Sequence, residues 1–70
     1  MVQQLKLEDW DQSLAYKMAD FAPEDEEVFF KTKDGETYQG EHWKGLGFEA
    51  NGITFEDEEV IEWHPVTVDM

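Results

Sequence analysis

Apolar residues recur along this chain with two different periods, and the change falls at Pro23. Upstream, Leu7, Trp10, Leu14, Met18 and Phe21 follow at gaps of three, four, four and three, which is one stripe of an α-helix. The opposite face carries Asp9, Gln12, Lys17 and Asp20. Asp9 with Gln12 three residues on is the pattern of a capping box, and Lys17 sits where a cation suits the helix dipole. Pro23 disfavours helical geometry at Ala22, so the spacing predicts an amphipathic helix over about 8–21 with Trp10, Leu14 and Met18 in the core.

Downstream the period falls to two. Val28–Lys33 reads as a strand by its β-branched and aromatic content, and Asp34-Gly35 as a turn. Thr37–Trp43 returns with Tyr38, Gly40 and His42 on one face and Thr37, Gln39, Glu41 and Trp43 on the other. Lys44-Gly45 connects to Leu46–Ala50, Asn51-Gly52 is a hairpin turn, and Ile53–Phe55 follows. Val60–His64 is the last strand, and Pro65 is expected to end regular pairing. The predicted fold is α+β, a single domain over residues 1–70. One N-terminal helix packs on a four- or five-stranded antiparallel β-meander over about 28–66, curled toward an SH3-like partial barrel. The expected core is Val28, Phe30, Tyr38, Phe48, Ile53, Phe55, Ile61 and Trp63, joined by Leu14 and Met18.

Two of these strands are preceded by the same pentapeptide. Glu24-Asp25-Glu26-Glu27-Val28 and Glu56-Asp57-Glu58-Glu59-Val60 each run a dense anionic tip into an apolar segment. In a five-stranded meander the first, third and fifth strands run the same way. Both quartets then share an edge beside the Trp43-Lys44-Gly45 turn, whereas four strands put them at opposite ends.

Composition gives the repeat its weight. Eighteen Asp and Glu stand against five lysines and no arginine, a net charge of −13. Phosphate contacts come mainly from Lys and Arg, so direct nucleic-acid binding is excluded as the chain's own activity, and attraction to anionic lipid is disfavoured. A halophilic origin would produce the same composition with no special partner. Ten aromatic residues supply burial to a 70-residue chain that has no cysteine and hence no disulfide. No apolar run has the length of a membrane span, and the N-terminus lacks a signal-peptide pattern, so cytoplasmic residence is expected.

Catalytic chemistry finds little support. Ser13 is the sole serine and lies outside any Gly-x-Ser-x-Gly, no phosphate-loop pattern is present, and no carboxylate is marked as buried. The quartets lack the spacing and central Gly of an EF-hand. His42 and His64, with Glu41 or Glu62, are a conceivable two-His carboxylate set, but rim histidines are the ordinary expectation, and no metal or cofactor is assigned. Alternation cannot place Trp43, Phe29 and Phe21 all inward. Either an apolar anchor stands among the carboxylates, a composition suited to a basic partner, or these rings form a second small cluster under a loop.

From Pro23 onward the chain resembles a family of small phage and prophage proteins of unknown function. The matching residues are Pro23, Val28, Asp34-Gly35, Tyr38-Gln39-Gly40 and the Trp63-His64-Pro65 tail. A tryptophan shortly before the Pro and a second Pro in the tail are not at the family's places. The resemblance implies a phage-related origin, host cytoplasm as location, and a compact β-meander, with no activity to carry over.

The expected function is therefore a small non-enzymatic inhibitor or interaction protein. It would bind a basic host protein whose surface normally meets nucleic acid, such as a CRISPR effector, a restriction or repair enzyme, or RNA polymerase. The candidate partner-binding residues are Glu24, Asp25, Glu26, Glu27, Glu41, Trp43, Glu56, Asp57, Glu58 and Glu59. The alternative is a virion component or adaptor in which acidity only provides solubility.

Overall fold

The computed structural model describes residues 2–24 and 26–69, with Asp20 described through its backbone alone. Among the described residues seven strands follow one another: β1 (Val2–Gln4), β2 (Glu27–Thr32), β3 (Thr37–Trp43), β4 (Gly47–Ala50), β5 (Ile53–Phe55), β6 (Val60–Pro65) and β7 (Thr67–Asp69). Strands β2 to β6 form one antiparallel sheet in the order β5-β4-β3-β2-β6, and β1 pairs with β7 in a separate two-stranded ribbon.

The sheet is a meander from β2 to β5, as its turn residues predict. Asn51 and Gly52 both take positive φ, 53° and 78°, the primed geometry that a two-residue hairpin needs to match strand twist. The last strand breaks the simple order, because β6 returns to pair with β2 at the other edge. Residues 56–59 thus join opposite edges of the sheet, three of them in a 3₁₀ turn (Asp57–Glu59). Five flat strands would stand about 19 Å wide, beyond the roughly 17 Å that this stretch reaches even fully extended. The sheet must roll, and the roll encloses the core of Val28, Phe30, Phe48, Ala50 and Val60, with Tyr38, Phe55 and Trp63 packed against it. Phe30 sits at the centre, its ring 4.9–5.5 Å from those of Phe48, Phe55 and Tyr38.

The predicted N-terminal helix does not form, and the α+β class is corrected to an all-β sheet with short 3₁₀ turns. The segment expected to be helical holds two such turns, Leu7–Asp9 at its start and Ala19–Phe21 at its end. Two physical causes compete with the helix. Asp11 Oδ1 accepts from both the backbone N–H and the hydroxyl of Ser13, closing a local turn instead of a helical ladder. Tyr16 gives its N–H and C=O to Trp63 of β6, each at 2.8 Å, so its backbone is unavailable to helical neighbours. The segment runs as an irregular strap along the β6 edge, which closes an edge otherwise open to strand addition.

The core prediction fails where that strap and a bulge intervene. Leu14 and Met18 are exposed rather than core, whereas Ala19 and Ala22 enter the barrel. Ile61 is the extra residue where the β2–β6 register shifts between Lys31 and Thr32, and it points to solvent. Ile53 is exposed at the tip of the edge strand. Pro65 does not end pairing: it lies opposite Val28, and β7 continues beyond it.

Candidate functional site

The acidic quartets converge on the β3–β4 turn, for a reason other than strand parity. The first meets it because β2 begins beside the end of β3, with Glu27 opposite Glu41. Glu24 bridges alongside His42, and its Oε1 accepts the backbone N–H of Lys44 at 2.7 Å. The second meets it because the turn that carries it crosses between the sheet edges. Glu56, Asp57 and Glu58 line a hollow of about 310 Å³ together with Gly45, Leu46 and Gly47. Gly47 has φ +107°, and a Cβ there would lie 2.1 Å from the Phe55 carbonyl oxygen, so only glycine lets the turn close against the end of β5.

His42 is the joint between the two acidic segments. Its ring is buried, 4.4 Å from that of Phe48. Nδ1 donates to the Ala22 carbonyl at 2.8 Å, just upstream of the first quartet, and Nε2 lies 3.2 Å from Asp57 Oδ1 in the second.

The remaining candidates divide. Glu26 and Glu27 also line a hollow on the side of Gln4, Val66 and Thr67. Glu59 turns to the opposite end of the barrel with Thr32, Lys33, Asp34 and Phe55. Asp25 lies outside the described residues. The structure therefore gathers Glu24, Glu56, Asp57 and Glu58 and leaves Glu26 and Glu59 at the margins.

The strand register adds a feature that the quartets did not reveal. Glu27 stands opposite Glu41, and Glu41 opposite Glu49, so three carboxylates make a row across β2, β3 and β4 on the outer face. Like charges directly opposite destabilise a sheet. Gln39 donates to Glu27 at 2.8 Å, but among the described residues no lysine pairs with any member of the row. Beside it, Trp43, Leu46, Glu49 and Thr54 line an open cleft of about 390 Å³, and Leu46 is 71% exposed. Leu46 borders both clefts and joins the apolar patch to the carboxylates.

The aromatic alternatives both occur, on different rings. Trp43 and Phe21 stand on the surface, whereas Phe29 is fully buried in a second cluster, 5.9 Å from the His64 ring and under the strap that carries Trp10. The histidines are not rim residues, since both rings are buried, and Glu62 is a buried carboxylate. No group of three metal-ligating side chains is assembled among the described residues. Glu49 lacks any motif and becomes visible only through strand pairing, and Leu46 only through the two clefts it borders. No family model, curated protein or solved structure matches the chain.

Proposed function

We propose that this chain is a small interaction protein that engages a basic, nucleic-acid-binding surface of another protein, with carboxylates standing in for phosphates. The observation that carries the reading is the gathering of Glu24, Glu56, Asp57 and Glu58 beside the exposed Trp43 and Leu46, next to the unneutralised Glu27–Glu41–Glu49 row. A surface of this kind raises the association rate with a cationic partner and suppresses anionic ones. Candidate targets are a CRISPR effector, a restriction or repair enzyme, or RNA polymerase.

The test is binding to candidate nucleic-acid enzymes across a salt series, with the intact chain and with Glu→Gln changes at 24, 56 and 58. Affinity should fall steeply with salt and with neutralisation, and target activity should be recovered in parallel. Salt-independent binding, or binding indifferent to the changes, contradicts the reading.

One observation favours a second reading, an adaptor that docks through apolar surface. Leu14, Tyr16, Met18 and Phe21 of the strap are all exposed. Sedimentation that shows a salt-insensitive oligomer, lost on Phe21→Ser, would select it.

A further inference from the structure

The cleft on the outer face of β3, β4 and β5 has a counterpart elsewhere in the same molecule. On the covered side, Lys31 Nζ lies 5.0 Å over the Trp10 ring and 3.9 Å from Glu62 Oε1. Indole, carboxylate and cation make a closed set there, with the cation held by quadrupole and charge together. Trp43 and Glu49 present the same first two members side by side, with the Thr54 hydroxyl and the Leu46 side chain on the remaining walls. Among the described residues no cation of the chain lies over Trp43 and none pairs with Glu49. The other two indoles are engaged: Trp10 is under Lys31 and tilted 5.1 Å from His64, and Trp63 stacks 4.6 Å from Tyr16 and donates to the Met18 carbonyl.

We propose that this cleft is the anchor pocket for an arginine side chain of the partner protein, its guanidinium stacked on Trp43 and paired with Glu49. The occupant follows from charge complementarity. Glu41 stands opposite Glu49, and Glu56 and Glu58 lie across Leu46, so a cation entering the cleft is met by carboxylates on two sides. Arginine suits it better than lysine, because a planar guanidinium both stacks on an indole and offers paired donors to a carboxylate. Its aliphatic stem lies along Leu46, where a long cationic side chain covers apolar surface while its head stays polar. The inference rests on the acidic-face reading and adds the anchor to it.

The experiment uses the full-length, nitrogen-15-labelled chain titrated with a capped hexa-arginine peptide, with hexa-lysine as comparison. The expected result is a saturable shift of the Trp43 indole N–H, with those of Trp10 and Trp63 unmoved, and weaker binding of hexa-lysine. Trp43→Ala and Glu49→Gln should each weaken hexa-arginine binding about 5-fold. Both positions are exposed, and Glu49→Gln keeps the side-chain shape, so it serves if Trp43→Ala loses its dispersed spectrum. If the peptide shifts the amides of residues 24 and 56–58 but not the Trp43 indole, or binds both variants as tightly, the anchor is wrong and the acidic-face reading stands. If it shifts nothing, both fall.

Discussion

The two outer flanks of the rolled sheet are built on opposite electrostatic plans. Across β2 and β6, Lys31 stands opposite Glu62, Gln12 of the strap donates to the same carboxylate, and the Lys31 ammonium lies over Trp10. Both ring nitrogens of His64 are engaged there: Nδ1 donates to the Pro65 carbonyl at 2.6 Å, and Nε2 accepts the Asp11 N–H at 3.1 Å. Across β2, β3 and β4 the same type of register sets glutamate against glutamate. One flank uses charge to hold the fold together. The other sets carboxylates opposite one another, and among the described residues no lysine pairs with them.

The sharpest way to break this contrast is to remove the buried ring under the strap. Phe29→Ala should cost about 3–5 kcal/mol in urea unfolding, a large share of the stability of so small a domain. Phe29 was a candidate for the surface on alternation alone, and a cost under about 1 kcal/mol would return it there. A smaller effect separates the flanks residue by residue. Glu62→Ala leaves Lys31 and Gln12 without their shared acceptor and should cost about 1–3 kcal/mol, whereas Glu49→Ala on the open flank should cost nothing measurable. Equal losses would erase the distinction.

The smallest effect concerns acid. Hydrogen bonds from the Ser13 side chain and backbone lower the pKa of Asp11 in the strap, and the hydrogen bond from the Thr32 hydroxyl lowers that of Asp34 in the β2–β3 turn. A depressed folded-state pKa contributes stability that is fully present above the unfolded value near 3.9 and is lost as pH falls through the folded value. Carboxyl-carbon NMR should show both titrating below that value, and Ser13→Ala should move Asp11 back toward it. Titration at or above the unfolded value would remove the strap's local turn from the account.

Strand positions were legible because their signals are local: aromatic and β-branched runs, Asp34-Gly35, and Asn51-Gly52 place β2 to β5 within a residue or two. The helix was misread because Leu7, Trp10, Leu14, Met18 and Phe21 do keep helical spacing, while the bonds that override it come from Trp63, far away in sequence. Burial of Phe29, His64 and Glu62 depends on that same strap, so it was hidden too. The quartets were visible as motifs, but the expectation that β2 and β6 run the same way fails: β6 is antiparallel to β2, so Val60 stands beside Thr32, at the far end from Glu27. Glu56, Asp57 and Glu58 reach the β3–β4 turn because β5 ends beside the start of β4, with Phe55 opposite Phe48, and the chain then crosses to β6 at the other edge, a topology that no local pattern carries. Glu49 is the clearest case of a site residue that only register exposes.

The claim that the open flank works against the fold can be measured without knowing the partner. The double change Glu41→Gln, Glu49→Gln removes both directly opposed pairs of the row and keeps side-chain shape. Urea unfolding in low salt should find the variant more stable than the parent by about 0.2–1 kcal/mol, with the gap closing as salt rises toward about 1 M. A variant less stable than the parent would show that these carboxylates hold the sheet together, and would contradict the account.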